Sequence, residues 1–272
     1  MSREINKDTQ LCMSLSGRPG NFGTRFHNYL YQASDLNFVY KAFSTQDIEA
    51  AVKGVRALGI RGCAVSMPFK EACIPFLDEL DPSATAIQSV NTIVNDDGFL
   101  RAYNTDYIAV AKLLDSHQVP RDAVFALRGS GGMGKAVVAA IRDAGFKKGY
   151  IIARNEANGR ALAEEYGYEW KAEVGDLAVD MVVNVTPIGM TGGPEVDSLA
   201  FEPAVIDRAS IVFDVVALPA ETPLIRYGRE HGKKVITGAE VATLQAVEQF
   251  VLYTGVRPSD ELIEKAAEYA RS

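Results

Sequence analysis

The stretch AVFALRGSGGMGKAVVAAIRDAG, residues 123–145, decides the fold. A short apolar run leads into a glycine-rich turn, and a helix-forming segment follows. In a dinucleotide-binding strand–turn–helix unit, Gly129 would allow the tight turn, Gly131 would let the backbone approach a pyrophosphate, and Gly134 would let helix and strand pack closely. The free N–H groups at the start of the helix would face the anion. The segment therefore predicts a dinucleotide-binding site, with a purely structural glycine turn as the alternative.

The residues that follow the next predicted strand, Tyr150–Ala153, indicate which dinucleotide would bind. An NAD site usually carries an Asp or Glu there, which accepts a hydrogen bond from the ribose 2′-hydroxyl. This chain has Arg154 and Asn155 instead. Because a guanidinium can hold a 2′-phosphate with two hydrogen bonds, the sequence favours NADP over NAD. An arginine that is merely solvated at a strand end is the alternative.

The rest of the chain alternates strand-like and helix-like segments, which is typical of an α/β protein with parallel strands covered by helices. A hairpin breaks this pattern where the turn NDDG, residues 95–98, separates SVNTIV from FLRAY. A helix is predicted over Pro68–Leu77, because proline is tolerated in a first turn. The alternation restarts after Pro120. Two helices are predicted between residues 241 and 271, and on pattern alone either unit can receive them.

Composition narrows the classes of function. At ~150 residues per domain, 272 residues predict about two domains. The 28 basic and 35 acidic residues give a net charge of −7, which argues against a nucleic acid or an anionic membrane as partner. Cys12, Cys63 and Cys73 lack metal-ligand or CxxC spacing, so we expect them to be buried and reduced. The polar start MSREINKDTQ, and no apolar run near ~18 residues, predict a soluble cytoplasmic protein.

Two charged residues are candidates for catalysis. Lys70 lies in the segment SMPFK, near the start of the predicted helix, where the helix dipole would ease loss of its proton. That would suit a general acid/base, and an ordinary exposed lysine is the alternative. Asp106, in the segment YNTD between a strand and a helix, is the type of residue that orients a catalytic lysine. Asn104, Thr105 and Asp106 are also good helix-capping residues.

Several polar residues lie on otherwise apolar elements. They are Asn91 and Thr92 in SVNT, and Gln245 with Gln249 one helical turn apart. Capping or solvation explains each of them individually. The three histidines have no metal-ligand spacing, and the chain has no GxSxG, HExxH or Walker-lysine motif. The sequence therefore gives little support to a metal site, a hydrolase or a nucleotide triphosphatase.

Taken together, these segments resemble the shikimate dehydrogenase family over nearly the whole chain. The matching stretches are AVSMPFKEA for NVTxPFK, SVNTIV for AVNT, YNTD for NTD, GSGGMGKA for GxGGxxxA, NVTPIGM for NATxxGM, FDVVALPAETPL for DxxYxPxxTPL and GAEVATLQAVEQFVLYTG for GxxMLxxQAxxxFxxWTG. The resemblance implies two α/β domains. Residues 1–106 and 240–272 would form a substrate domain with a mixed β-sheet, completed by the C-terminal helices, and residues 107–239 a Rossmann-type NADP-binding domain.

The resemblance also implies roles for individual residues. Lys70 would be the acid/base, with Asp106 as its partner and as a ligand of a substrate hydroxyl. Ser66, Asn91 and Gln245 would bind further hydroxyls. The implied cofactor contacts are Gly129, Ser130, Gly131, Gly132, Met133 and Gly134 at the pyrophosphate, Arg154 and Asn155 at the 2′-phosphate, and Val215 and Gly238 at the nicotinamide. No metal ion is expected.

Three departures from the family pattern bear on the substrate. The SxSP segment, whose two serines hold the substrate carboxylate, is replaced here by NFGT at residues 21–24. Ala217 replaces the tyrosine of the DxxY motif, and Ala153 replaces the asparagine of the NRT segment. The loss of two hydroxyl donors typically costs roughly 1 kcal/mol or more each. Another contact to the carboxylate is therefore expected, from Asn21, Ser14, Ser16 or Arg25.

The resemblance implies an NADP-dependent oxidoreductase that interconverts shikimate and 3-dehydroshikimate, or a closely related cyclic polyhydroxy acid, within a divergent shikimate dehydrogenase-like branch. Quinate or another hydroxy acid as substrate is one alternative. A non-catalytic NADP-binding sensor on the same fold is another. The sequence leaves the oligomeric state open, with a homodimer among the alternatives.

Overall fold

The computed structural model describes residues 4–272, which divide into two compact units. The first comprises residues 4–105 and 243–272, and the second residues 106–242. The first three residues of the polar N-terminal segment lie outside the described residues. Within the described part of the chain, no helix is both long and apolar enough to cross a bilayer.

The first unit contains a mixed six-stranded sheet in the order β2-β1-β3-β5-β6-β4. Its strands are β1 (Gln10–Ser16), β2 (Phe38–Ser44), β3 (Gly62–Val65), β4 (Glu79–Leu80), β5 (Thr92–Asp96) and β6 (Phe99–Tyr103). Strands β1, β2 and β3 are parallel, whereas β5 runs antiparallel to both β3 and β6. The antiparallel β5–β6 pair is the hairpin that the NDDG turn predicts.

Two apolar clusters cover the faces of this sheet. Helix α2 (Ile48–Ala57) packs on one face, where Met13 and Leu15 meet Val52 and Val55. The other face is covered by α1 (Phe22–Ala33), the C-terminal part of α9 (Gly238–Thr254) and α10 (Asp260–Arg271), with Cys12 inside that cluster. A short helix α3 (Pro82–Thr85) precedes β5. The period-two alternation of β1 thus explains why neighbouring side chains enter different clusters.

The second unit is a parallel six-stranded sheet in the order β12-β11-β10-β7-β8-β9. Its strands are β7 (Phe125–Arg128), β8 (Gly149–Ile152), β9 (Glu169–Lys171), β10 (Met181–Asn184), β11 (Ile211–Asp214) and β12 (Lys234–Ile236). Its helices are α4 (Thr105–Ser116), α5 (Gly132–Asp143), α6 (Glu156–Tyr166), α7 (Pro203–Arg208) and α8 (Pro223–Glu230). This strand order is that of the Rossmann fold, with its switch point between β7 and β10. The predicted α/β class, with one mixed and one Rossmann-type sheet, is confirmed.

The predicted helix over Pro68–Leu77 is wrong. The segment forms turns and a single 3-10 turn over Ile74–Phe76. One reason is that the Lys70 carbonyl accepts a hydrogen bond from Val90 N at 2.8 Å, so it is committed to a partner outside any helix. Without a helix, the dipole argument for easier deprotonation of Lys70 does not apply.

Candidate active site

The glycine-rich loop after β7 fits the packing roles predicted for two of its glycines. Gly129 has a φ of +121°, and a Cβ there would lie 2.7 Å from Val185 Cγ2. A Cβ on Gly134 would lie 3.3 Å from the Gly129 carbonyl oxygen. At Gly131 and Gly132, by contrast, a Cβ would meet nothing within 4 Å. The start of α5 therefore faces open space at the switch point, where open α/β sheets bind their ligands.

A cavity of about 620 Å³ lies beside this loop, within the size range of small-molecule sites. Ser130 lines it together with Arg154 and Asn155, so the structure brings the predicted phosphate-binding residues to one cavity. The Asn155 side chain caps α6 by accepting from Asn158 N at 3.0 Å. Arg154 is exposed, and its guanidinium lies 3.8 Å from a Glu195 carboxylate oxygen. Arg154 is therefore the cation that is free to turn toward an anion in this cavity.

The two residues predicted at the nicotinamide lie close together. Val215 N, just after β11, donates to the Asn184 carbonyl at 3.0 Å. A Cβ on Gly238 would lie 2.5 Å from the carbonyl carbon of Val215 and 2.3 Å from that of Val216. Only glycine permits this approach, so the sequence match at Gly238 has a steric reason. Met133, the remaining predicted cofactor residue, lies in the first turn of α5.

A buried carboxylate fixes the loop between β11 and α8. Asp214 accepts hydrogen bonds from Asn184 Nδ2 at 3.0 Å, Val216 N at 3.0 Å and Thr222 Oγ1 at 2.7 Å. Burial raises the pKa of Asp214 to about 6, and these three hydrogen bonds act in the opposite direction. Asp214 is therefore ionised at neutral pH and orders the segment that carries Ala217.

In the first unit, Asn91 is the centre of a buried hydrogen-bond network. Its Oδ1 accepts from Thr105 N at 2.8 Å, from Thr105 Oγ1 at 3.1 Å and from Thr92 Oγ1 at 2.8 Å. Gln245 Nε2 donates to Thr105 Oγ1 at 3.2 Å. The structure thus brings together Asn91 and Gln245, two of the predicted substrate ligands. Because the Asn91 amide oxygen is fully used, its Nδ2 is the group left to donate to a ligand.

Ser66 and Lys70 lie on the turn that follows β3. The exposed Ser66 accepts a hydrogen bond from Phe69 N at 2.9 Å through its carbonyl, which closes the turn. The Lys70 side chain is half-buried, and the hydrogen bond between its carbonyl and Val90 N anchors its backbone beside Asn91. Lys70 is thus held within the same loop cluster as Asn91.

Two predicted residues lie at helix N-termini. Asp106 is in the first turn of α4, at the start of the second unit, where the helix dipole favours a carboxylate. Asn21 precedes α1, is exposed and makes no capping hydrogen bond with its side chain. Capping therefore does not explain Asn21. The catalytic and binding roles of all these residues stay predictions.

Sequence reasoning missed three residues of these sites. Thr105 was considered only as a capping residue, yet its hydroxyl joins Gln245 to Asn91. Arg128 and Glu195 both line the 620 Å³ cavity. The position of Arg128 directly before Gly129 was a usable signal, whereas Glu195 is far from the glycine loop in sequence and no motif marked it.

The predicted burial of the cysteines is confirmed, and all three are free thiols. Burial raises the pKa of Cys12 and of Cys73 to about 12. The pKa of Cys63 is raised for the same reason. All three thiols are therefore protonated and unreactive at neutral pH.

The sequence is similar to known proteins along its whole length. The family model for the shikimate dehydrogenase substrate binding domain matches residues 22–93. A shikimate dehydrogenase-like protein from Haemophilus influenzae is 65% identical, over 98% of this chain and 99% of its own. A shikimate dehydrogenase (NADP(+)) from Streptococcus uberis is 35% identical, over 94% of both chains.

Solved structures agree with these matches. A shikimate 5-dehydrogenase-like protein superposes with a TM-score of 0.98 at 64% identity, covering 99% of this chain and 100% of its own. A shikimate 5-dehydrogenase from Thermus thermophilus, solved with NADP(H) and shikimate, has a TM-score of 0.85 at 27% identity over 96% and 100% of the chains. A quinate dehydrogenase from Corynebacterium glutamicum, solved with NAD, has a TM-score of 0.87 at 26% identity over 96% and 98%. Given these relatives and the two-sheet fold, the chain belongs to the shikimate dehydrogenase family.

Proposed function

We propose that the chain is an NADP-dependent oxidoreductase that interconverts shikimate and 3-dehydroshikimate, or a closely related cyclic polyhydroxy acid, by hydride transfer. The observation that carries the proposal is the ordered network of Asn91, Thr105 and Gln245. A cluster of amide and hydroxyl groups of this kind, largely withdrawn from solvent, suits the binding of substrate hydroxyls. The names of the relatives support the same activity.

The second unit would hold the dinucleotide. The open space at Gly131 and Gly132 fits a pyrophosphate on the N-terminus of α5, and Arg154 would take the 2′-phosphate. When bound, NADP supplies the nicotinamide that accepts or gives the hydride. Val215 and Gly238 would line that ring.

Lys70 and Asp106 would handle the proton. In the oxidation, the neutral amine of Lys70 would take the proton of the reacting hydroxyl and become an ammonium group, and in the reduction that ammonium group would return the proton to the oxygen. Asp106 orients the ammonium group and a neighbouring substrate hydroxyl. Ser66, Asn91 and Gln245 fix the remaining hydroxyls, so that the reacting carbon has one orientation.

The substrate carboxylate needs a contact in place of the missing SxSP serines. Asn21 is exposed at the start of α1, and its side chain makes no capping hydrogen bond. The first N–H groups of a helix and the helix dipole favour an anion. Asn21 would add an amide donor to that site, which supports an acid as the substrate.

The test is a direct assay of cofactor reduction. The purified protein is incubated with NADP and with shikimate, quinate or a related hydroxy acid, and the absorbance of the reduced cofactor is followed. Reduction with shikimate, or with a related cyclic polyhydroxy acid, supports the proposal. No reduction with any acid at high enzyme concentration contradicts it and favours the non-catalytic NADP-binding sensor.

The acid/base role of Lys70 has its own test. We expect Lys70→Ala to lower turnover by about 100-fold or more with little change in NADP affinity, because a positioned acid/base acts only on the chemical step. Lys53→Ala is the matched control, since Lys53 is exposed and pairs with Glu49 on the surface of α2. Near-wild-type turnover of the Lys70 variant would contradict the assignment.

Quinate is the second candidate substrate. One observation favours it: NFGT replaces the two serines that the family uses for the carboxylate of shikimate. The quinate dehydrogenase from C. glutamicum also shares the fold. A larger kcat/KM for quinate than for shikimate in the same assay would support this candidate.

A further inference from the structure

The charges around the 620 Å³ cavity are nearly balanced. Its lining residues include the cations Arg128 and Arg154 and the carboxylates Glu173, Glu195 and Glu202. A site that selects a 2′-phosphate, which carries about two negative charges, usually presents unopposed cations. This cavity therefore does not show the charge of a strongly phosphate-selective site.

The two arginines differ in availability. Arg128 is largely buried, bonds Glu173 at 2.7 Å, and lies over the Phe201 ring at 5.2 Å. The Glu173 carboxylate neutralises the charge of Arg128, and these contacts fix the position of the guanidinium. Arg154 is exposed over 77% of its side chain, so it can turn toward a ligand. Of the two, Arg154 is the cation that a 2′-phosphate would engage.

Glu195 opposes that engagement. Its carboxylate lies 3.8 Å from the Arg154 guanidinium. Its backbone is fixed, because the Glu195 carbonyl accepts from Gly189 N at 2.9 Å and from Ser198 N at 3.1 Å. The fixed backbone keeps the Glu195 carboxylate within reach of the guanidinium, where it competes with an anion for Arg154.

We propose that Glu195 is a specificity-determining residue for the dinucleotide. By holding Arg154 and by repelling the 2′-phosphate, it weakens the binding of NADP while leaving that of NAD unchanged. The two cofactors therefore bind with more similar affinities than Arg154 alone would give. This inference rests on the proposed dinucleotide-dependent function.

The test uses a substitution that keeps the shape of the side chain and removes its charge. We expect Glu195→Gln to lower the Kd for NADP by about three- to tenfold and to change the Kd for NAD by less than about twofold. Trp170, the single tryptophan, reports binding through its fluorescence, because its Nε1 donates to the Ala153 carbonyl at 3.2 Å, beside Arg154. This readout requires no turnover.

Two further variants locate the effect. In an Arg154→Ala background, Glu195→Gln should raise the NADP affinity by a smaller factor than in the wild type, because the part of the effect that acts by holding Arg154 is lost and only the direct repulsion of the phosphate remains. Glu169→Gln removes one negative charge from the same unit, where Glu169 pairs with Lys171 at 3.3 Å. It should leave the ratio of the two Kd values unchanged.

The outcomes separate the inference from the proposed function. If the wild-type protein binds both dinucleotides and Glu195→Gln shifts neither Kd, or shifts both equally, the role of Glu195 is wrong and the proposed function stands. If the wild-type protein binds neither NADP nor NAD, the proposed function fails and the inference fails with it. A shift confined to NADP that depends on Arg154 supports both.

Discussion

His27 is a buried histidine whose pKa lies far below its usual value. The imidazole is fully buried and stacks on Tyr40, with ring centroids 4.5 Å apart. Burial lowers the pKa of His27 to about 3, and the neighbouring Gln249 acts in the opposite direction. His27 is therefore neutral throughout the physiological range and serves as part of an aromatic cluster.

This pKa shift predicts a pH dependence of stability. Between pH 6.5 and about 3 the unfolded state protonates His27 and the folded state does not, so the free energy of unfolding falls as pH falls. The contribution is about 1.4 kcal/mol per pH unit. We expect His27→Phe to lose this dependence. Asp214, whose raised pKa acts with the opposite sign between pH 3.8 and about 6, is the same in both proteins and cancels in the difference.

Urea unfolding at pH 7, 6, 5 and 4, followed by near-ultraviolet circular dichroism of the tyrosines, measures the effect. The difference in unfolding free energy between wild type and variant should change steadily below pH 6.5. A constant difference from pH 7 to 4 would show that His27 titrates normally in the folded protein.

Gln249 supports the hydrogen-bond network around Asn91. Its Nε2 donates to the Asn91 carbonyl at 3.2 Å and to Thr92 Oγ1 at 3.0 Å. Gln249→Leu removes the donor from these buried acceptors, and we expect the free energy of unfolding to fall by about 1–3 kcal/mol. We expect a higher KM for the acid substrate, because Asn91 loses its fixed position, and an unchanged Kd for NADP. Gln32→Leu, at an exposed position on α1, is the matched control, and an equal change in both constants would contradict the positioning role.

At the scale of elements, the glycines of the loop between β7 and α5 fall into two groups: Gly129 is required for packing, and Gly131 faces open space. Gly129→Ala would place a Cβ 2.7 Å from Val185 Cγ2 at a φ of +121°, so we expect a loss of about 1–3 kcal/mol in stability. Gly131→Ala meets no neighbour within 4 Å, and the fold should remain stable. Its methyl group would instead enter the space predicted for the pyrophosphate and raise the Kd for NADP about tenfold or more.

Thermal unfolding and NADP titration of the two variants measure these effects in parallel. The prediction requires a lower Tm mainly for Gly129→Ala and, at a temperature where both are folded, weaker binding by Gly131→Ala. Wild-type NADP affinity of Gly131→Ala would place the pyrophosphate elsewhere.

The elements that the sequence predicted well are those in which local pattern and tertiary packing agree. The apolar run before Gly129 becomes β7, and the period of the following segment becomes α5. The helix predicted over Pro68–Leu77 does not form, because a long-range hydrogen bond from Val90 N to the Lys70 carbonyl outweighs local helix propensity. The strands β4 and β9 are two and three residues long, and no periodicity can show at that length.

The same reasoning explains which parts of the site were accessible from sequence. Asn91 and Gln245 were found because polar side chains on apolar elements are conspicuous, and matching motifs surround them. Glu195 was not found, because its meeting with Arg154 depends on how the loop after β10 folds back over the end of β8. Two side chains on loops that are far apart in the sequence leave no local pattern.

At the scale of the whole molecule, the chain leaves its first unit near residue 105 and returns near residue 243. The last helix, α10, completes that first unit by packing against α1. Arg25 donates to Ser272 Oγ at 2.9 Å and lies over the Tyr269 ring at 4.5 Å. Ala266 and Ala267 enter the buried cluster beneath. The first unit is therefore built from both ends of the sequence.

This arrangement predicts that damage to α10 destabilises the first unit selectively. Ala267 is 3% exposed, and Ala267→Asp would bury a carboxyl group at about 2–4 kcal/mol. Trp170 and the cavity beside Arg154 belong to the second unit. The Kd for NADP should therefore stay within about threefold of the wild-type value. Activity with the acid should fall with the stability of the first unit.

Glu268→Asp, the matched control, places the same side chain on the exposed face of α10 and should change neither the activity nor the NADP binding. A single unfolding transition, with NADP binding and dehydrogenase activity lost together in Ala267→Asp, would mean that the two units fold as one.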